Sequence, residues 1–405
     1  MADTLLVVNA GSSSIKCSLY EVGAAQSLDL ASKGQIDGIG TAPHLRMRDP
    51  HGEVLVDRTY AAGDVPDVPA AMACMGDWLR THLGVAWPAA VGHRVAHGGP
   101  AFAAPELVDD GVLGALERLV PLAPLHQPFN LGPIRSIKAR FPGTPQVACF
   151  DTAFHRGHPD VADRYALPED LYREGVRRYG FHGLSYEYIT RTLRRLAPEI
   201  AERAVIIAHL GSGASMCAIR NGRSVDSTMG FTALDGLPMG TRCGQLDPGV
   251  VLYLLIEKGW EAKDIERLLY REAGLKGLSG VSNDVRALLA SDAPSARLAL
   301  DYFVYRIARE AGSLGAALGG LDALVLTGGI AENSPEMRTR ICARVEWLGV
   351  RLDPMANGVG HGRISGSDSR VAVWVIPTDE ERVIAEHTLE VVSRSRAMPF
   401  ICMDR

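Results

Sequence analysis

The chain has no run of apolar residues near the length of about 18 that a bilayer crossing needs, so no segment is expected to span a membrane. It has no C-x-x-C pair among its seven cysteines, Cys17, Cys74, Cys149, Cys217, Cys243, Cys342 and Cys402. That excludes a zinc ribbon and gives no disulfide framework. Buried thiols in a reducing cytosol are the expected reading. The charge imbalance is small, −5 overall, so no nucleic acid or membrane surface is expected as a partner. There is no Walker A loop and no H-R-D or D-F-G set, so neither the P-loop nor the protein-kinase fold is indicated. The strand read from Thr4 leaves no room for a signal peptide, and a cytoplasmic location is expected.

What the sequence does contain is a repeat. At 405 residues it exceeds what one core usually carries, so two domains are expected. Leu5-Leu6-Val7-Val8 reads as a buried strand. Asn9 closes it, Gly11-Ser12-Ser13-Ser14 makes a small polar turn, and residues 15–20 alternate as a returning strand. Backbone N–H groups, hydroxyls and Lys16 at the mouth of such a hairpin suit an oligophosphate and its metal. An ordinary serine-rich hairpin uses the same residues, so this stretch does not decide alone. A second strand–turn–strand lies 200 positions on, with Gly211-Ser212-Gly213 as its turn. Gly211 overlies Gly11, Ser212 overlies Ser12 and Cys217 overlies Cys17. Two such hairpins resemble those of the superfamily of sugar kinases, chaperone ATPases and actin. The resemblance implies an α/β fold of two duplicated actin-like ATPase domains. Each would be a ribonuclease H-like mixed sheet flanked by helices, with a nucleotide in the interdomain cleft. The domains are expected at 1–150 with 381–405, and at 151–380.

Basic glycine turns are interleaved with these hairpins. Gly92-His93-Arg94-Val95-Ala96-His97-Gly98 suits an anion, though a surface turn with a salt-bridged arginine reads the same way. Residues 146–150 form a strand with Asp151 at its carboxyl end, where open α/β sheets keep their ligands. Asp151 is a candidate for metal or phosphate chemistry, or else a loop cap. Tyr179-Gly180-Phe181-His182-Gly183 sets a histidine between glycines, and a long glycine loop over 235–249 carries Arg242. Residues 278–286 turn into a helix. Leu300, Phe303, Val304, Ile307, Ala308, Ala311, Leu314 and Leu318 form one stripe of a helix over 296–318, which marks core rather than site. A strand over 323–327 ends in Gly328-Gly329, which lets backbone approach a flat ligand. A helix over 70–83 is closed by Gly84, residues 353–370 read as an exposed loop, and a last strand covers 371–376.

Strand ends rich in glycine, with arginine and histidine turns between them, are what phosphoryl transfer requires: positioned positive charge around the equatorial oxygens. The chain resembles the acetate and propionate kinase family through Val8-Asn9-Ala10-Gly11-Ser12-Ser13-Ser14-Ile15-Lys16, Gly92-His93-Arg94-Val95, Phe150-Asp151-Thr152-Ala153-Phe154-His155, Tyr179-Gly180-Phe181-His182-Gly183, Met239-Gly240-Thr241-Arg242, Ser279-Gly280-Val281-Ser282 and Thr378-Asp379-Glu380-Glu381. The resemblance implies transfer of the ATP γ-phosphoryl group to acetate, or to propionate, with ADP as the other product. Asn9 and Glu380 look like the holders of Mg²⁺ (or Mn²⁺) and its waters. Lys16 looks like an ATP-phosphate contact, and Arg94 like the clamp on the substrate carboxylate. His182 and Arg242 look like stabilisers of the transferring group, with Asp151 as the family's active-site aspartate. His209, Leu210, Gly211, Ser212 and Gly213, then Asp284, Val285 and Arg286, then Gly329, Ile330, Ala331, Glu332 and Asn333 match its ATP-binding segments. A homodimer is implied as well.

A carboxylate whose ordinary pKa is about 4 is already ionised at pH 7, so the acceptor needs no general base. Asp151 is therefore expected to orient magnesium or water. The chain departs from the family pattern at Ser212, Gln245, Asp379 and Ala331. It also has Ala96 and Ala233 where valine and proline are commoner, while Leu125 and Phe181 keep the other walls of the acyl pocket. A pocket roomier than acetate needs, taking propionate, is the alternative expectation. A sugar kinase would need a base and a polar acceptor site, which the Arg94 turn fits poorly. A switch ATPase would need an appended partner-binding part, and little chain follows Glu380 to build one.

Overall fold

The structure, a computed structural model, describes residues 3–11, 14–82, 87–124 and 126–397. Ser12, Ser13, Gly84 and Leu125, singled out above, lie outside the described residues. The chain divides into two compact units, Met1–Ala153 with Asp379–Arg405, and Phe154–Thr378. Asp151 and Glu380 therefore belong to the same unit as Arg94.

The first unit holds β1 (Asp3–Ala10), β2 (Ser14–Val22), β3 (Leu28–Asp37), β4 (His44–Arg48), β5 (Val54–Thr59), β6 (Ala90–Val95), β7 (Glu106–Leu107) and β8 (Gln146–Phe150). Their order in the sheet is β5-β4-β3-β2-β1-β6-β8-β7. β1 pairs parallel with β6, and β6 parallel with β8. The other neighbours run antiparallel. Leu5, Leu6, Val7 and Val8 are all buried, as a central strand covered on both faces requires. One face packs on the Val68–His82 helix through Met72, Met75 and Leu79. The C-terminal helix Glu380–Ala397 packs on β6, β1 and β8.

The second unit holds β9 (Val205–Leu210), β10 (Ala214–Arg220), β11 (Arg223–Ser227), β12 (Ala323–Thr327), β13 (Gly362–Arg363) and β14 (Ala372–Val375), ordered β11-β10-β9-β12-β14-β13. β9, β12 and β14 are parallel, and β9, β10 and β11 form an antiparallel meander. The plan repeats that of the first unit. Along β9, Ile206 and Ala208 join the cluster built on the Pro294–Leu318 helix, whereas Val205 and Ile207 join the one built on Gly183–Leu196. That alternation is the period-two signature of a strand between two helical layers.

The sequence repeat and the pairing disagree by one residue. Asn9 pairs with Lys16, and Ala10 with Ile15. In the second hairpin His209 pairs with Ser215, and Leu210 with Ala214. Ser215, not the aligned Met216, is thus the counterpart of Lys16. A one-residue difference in register moves side chains to opposite faces.

The helix expected over 70–83 spans Val68–His82, and the one expected over 296–318 starts at Pro294, where proline fits the first turn. The expected exposed loop over 353–370 is instead structured. Asp353 caps a short helix, Pro354–Val359, by accepting from the Met355 and Ala356 N–H groups. Ile364 beyond it is fully buried in the core. Its apolar anchor is a single residue among glycines and serines, too weak a pattern to read. Among the described residues no helix is long and apolar enough to cross a membrane.

Gly92 faces the C-terminal helix so closely that a Cβ there would lie 2.2 Å from Thr388 Oγ1 and 2.7 Å from Ile384 Cγ2. Gly92→Ala is expected to destabilise the protein by about 1–3 kcal/mol through overpacking. Denaturant titration of the two proteins checks this, and an unchanged midpoint would mean that the helix does not hold this position.

Candidate active site

The parallel strands of the first unit end together, and their last residues form a charged cluster. Arg94 stands next to last in β6, and Asp151 follows β8 directly. Arg94 donates from Nε to Asp151 Oδ1 at 3.0 Å and from Nη2 to Oδ2 at 2.7 Å. Its Nη1 reaches Asn9 Oδ1, near the end of β1, at 3.4 Å. Glu380, opening the C-terminal helix, brings Oε2 to 3.7 Å from Arg94 Nε. Burial opposes charge on Arg94, but Asp151 and Glu380 outweigh it and hold its pKa above the ordinary arginine range. Burial pushes the Glu380 carboxyl up, with Arg94 acting in the opposite direction.

The other residues of this unit are placed as follows. Lys16 is exposed, across the ladder from Asn9. Ala96 is buried and donates its N–H to Asn130 Oδ1 at 2.9 Å, while Asn130 Nδ2 donates to the Ala10 carbonyl at 2.7 Å. Asn130 thereby ties the ends of β6 and β1 together. Among the described residues no group of three or more His, Cys, Asp or Glu could hold a metal. The oxygens of Asn9 and Glu380 do fit a hard cation that keeps most of its waters and takes phosphate oxygens, as Mg²⁺ does.

In the second unit, His182 precedes the Gly183–Leu196 helix with φ 57°, a left-handed backbone that few side chains adopt. Such outliers cluster at functional sites. His155 helps hold this turn by donating Nε2–H to the Phe181 carbonyl at 3.0 Å, and burial pushes its pKa down to about 4. The His182 ring stacks on His209, with centroids 4.4 Å apart. Ser215 Oγ lies 2.8 Å from His182 Nδ1, and Ser185 Oγ 2.9 Å from His209 Nδ1. Arg242 donates Nη1–H to the Ala233 carbonyl at 2.7 Å. Gly213 is where the two side chains meet: a Cβ there would lie 3.0 Å from His182 Nε2 and 3.3 Å from Arg242 Nη2. Glycine leaves the space in which both groups converge.

Beside this point opens a cavity of about 550 Å³. Gly211, Ser212, Asp284, Val285, Arg286, Gly329, Ile330 and Asn333 line it, as do Arg242, Leu275, Asn283 and Phe303. Apolar Val285, Phe303 and Ile330 share the lining with polar Arg242, Asn283, Asp284, Arg286 and Asn333, a mixture that suits a flat base and a phosphate chain. Leu210 and Ala331 are buried in the core instead. Glu332 braces the end of β12: its Oε1 accepts from Thr327 Oγ1 at 3.1 Å, Gly328 N at 2.7 Å and Thr378 N at 3.2 Å. Gly328 has φ 84°, and a Cβ there would lie 2.8 Å from the Leu210 carbonyl oxygen. Phe181 is buried beside His182.

Sequence reasoning passed over Asn130, Tyr186, Ser215 and Arg338. Arg338 is 1% exposed and donates Nη1–H to the Ala331 and Glu332 carbonyls, at 2.7 and 3.0 Å. An arginine in an amphipathic helix reads as solvent-facing, so nothing in the sequence marks it. Ser215 stands out only once the hairpin register is known.

The chain matches the family described as the Acetokinase family over residues 4–386. It is 61% identical to an acetate kinase of Nitrobacter hamburgensis over 390 residues, 96% of each chain. Among solved structures it is similar to Porphyromonas gingivalis acetate kinase, with TM-score 0.84 and 37% identity over 96% of this chain and 100% of that one. It is also similar to a propionate kinase from Francisella tularensis, with TM-score 0.88 and 33% identity over the same shares.

Proposed function

This chain belongs to the acetokinase family, and we propose that it is an acetate kinase, transferring the γ-phosphoryl group of ATP reversibly to acetate by direct in-line displacement. An acetate oxygen attacks the γ-phosphorus, the bond to the β–γ bridging oxygen breaks, and ADP leaves carrying that oxygen. Acetate is ionised at neutral pH, so no proton has to be removed. The observation that carries the reading is the convergence of His182 Nε2 and Arg242 Nη2 at Gly213, beside a cavity of nucleotide size.

The difficulty of the reaction is that an anion must approach an anion. In this proposal Arg94 holds the acetate carboxylate, and His182 and Arg242 spread positive potential over the equatorial oxygens of the transferring group. Gly211, Ser212, Asp284, Val285, Arg286, Gly329, Ile330 and Asn333 receive ATP, with Lys16 as a further phosphate contact. Asn9 and Glu380 would hold Mg²⁺, or Mn²⁺, which when bound offsets charge on the β- and γ-phosphates. The identity to an acetate kinase supports acetate over propionate as the acceptor.

Asp151 has both carboxylate oxygens engaged by Arg94. That favours a role in fixing the clamp over the orienting of magnesium or water expected from the sequence. A homodimer is the proposed assembly. The Pro248–Ile256 helix has no buried residue, and Val250, Leu252, Tyr253, Leu255 and Ile256 are all exposed, a patch of the kind that marks an interface.

Hydroxylamine trapping across acetate, propionate and butyrate tests the activity: acetate is expected to give the highest kcat/KM. Arg242→Ala is expected to lower kcat roughly 10²–10³-fold with the fold intact, and turnover close to wild type would reject the assignment. Asp151→Asn should raise KM for acetate roughly ten- to hundredfold, the equivalent of about 1.5–3 kcal/mol for a charged hydrogen bond. Its Mg²⁺ requirement should stay unchanged; a higher requirement with KM preserved would return Asp151 to the metal. Light scattering of Ile256→Asp checks the assembly, which should shift from dimer toward monomer.

A further inference from the structure

We propose that Tyr186 and Ser215 form a hydroxyl relay that fixes the tautomer of His182, so that its Nε2 carries the proton and donates to the transferring phosphoryl group. The inference rests on the reading of His182 as a group that meets that phosphoryl. Tyr186 lies in the first turn of the Gly183–Leu196 helix and is fully buried. Among the described residues its hydroxyl has one hydrogen-bond partner, Ser215 Oγ. Ser215 is 1% exposed and touches His182 Nδ1 at 2.8 Å.

The proton positions follow from satisfying each donor. A buried hydroxyl proton left without an acceptor costs about 1–3 kcal/mol. The Tyr186 O–H therefore donates to Ser215 Oγ. The Ser215 O–H then has one acceptor within reach, His182 Nδ1. An imidazole that accepts at Nδ1 carries its proton at Nε2. That nitrogen is the one beside Gly213 and Arg242 Nη2.

The stacked partner is held in the opposite sense. Ser185 Oγ donates to Thr378 Oγ1 at 2.9 Å, so toward His209 Nδ1, also 2.9 Å away, it accepts. His209 thus carries its proton at Nδ1. The two rings differ in which nitrogen can donate because one serine is fed by a phenol and the other is drained by a threonine. In this assignment His182 supplies a neutral N–H, and Arg242 supplies the charge. Tyr186 and Ser215 are positioning residues, since neither is assigned contact with a reacting atom.

The test uses the full chain uniformly ¹⁵N-labelled at histidine, with His182→Gln to assign the resonances. The wild type is expected to show His182 Nδ1 as an unprotonated nitrogen and Nε2 as a protonated one. In Ser215→Ala and Tyr186→Phe the two shifts should move toward each other as the tautomers mix. In both variants kcat is expected to fall roughly ten- to hundredfold, the range in which groups that orient an imidazole act. KM for ATP and for acetate should barely change, and Ser215→Thr should restore most of the rate. Because the hydroxyls act in series, the double variant should be no worse than Ser215→Ala alone. The proposal is overturned if wild-type His182 carries its proton on Nδ1 or on both nitrogens, if the shifts do not respond to either variant, if the two losses multiply, or if the loss falls on KM. Tyr186→Phe removes a single oxygen and carries the test alone should Ser215→Ala not fold. Absence of acyl phosphate from wild type would remove the functional reading, while the nitrogen shifts would still decide the tautomer.

Discussion

Parallel strand pairing is the constraint on which the rest of this structure depends. Parallel neighbours finish at the same edge of a sheet, so β1, β6 and β8 place Asn9, Arg94 and Asp151 together although they are far apart in the chain. β9, β12 and β14 do the same for Leu210, Thr327 and the segment leading to Thr378. Their backbone is fully used by the ladders up to that edge, and beyond it the chain is free to turn and bind. The antiparallel hairpins serve a different purpose. Each returns at once and presents its turn at the same edge.

Glycine decides how closely those turns can be approached. At Gly213 the missing Cβ leaves the space taken by His182 and Arg242, and at Gly328 it allows contact with the backbone of β9. Charge is managed by burial together with pairing. Arg94 is desolvated, yet its charge is secured by Asp151 and Glu380. A guanidinium held along Nε and Nη2 has fewer ways to turn, as the clamp role proposed for Arg94 requires. The cost of burying Glu380 is offset in part by the same arginine. In the second unit the His182 and His209 rings each meet a serine hydroxyl at Nδ1, so the direction of those hydrogen bonds bears on which nitrogen carries the proton.

Much of this was legible in the chain. The apolar runs of β1, β9 and β12, the stripe of the Pro294–Leu318 helix and the two glycine hairpins follow from periodicity and turn chemistry, which are local. Arg94, His182 and Arg242 stood out as basic residues in glycine turns, and Asp151 as the residue at the carboxyl end of a strand; each also had a structural reading, and the family resemblance separated the two. Ile364 escaped notice because one buried residue makes no pattern. Arg338 escaped because a helix position does not say whether carbonyls of another segment wait above it.

By itself, then, the sequence determined which segments are strands, which turns are rich in glycine, and which side chains stand at strand ends as candidates for chemistry. Those properties depend on residues within a few positions of one another. The tertiary structure decided what those side chains touch. Asp151 meets the Nε–Nη2 edge of Arg94 because β6 and β8 are neighbours. Ser215 takes the place of Lys16 because the second hairpin pairs one residue out of step with the first. Register and strand order are set by packing summed over the whole sheet, and no window of sequence contains that sum.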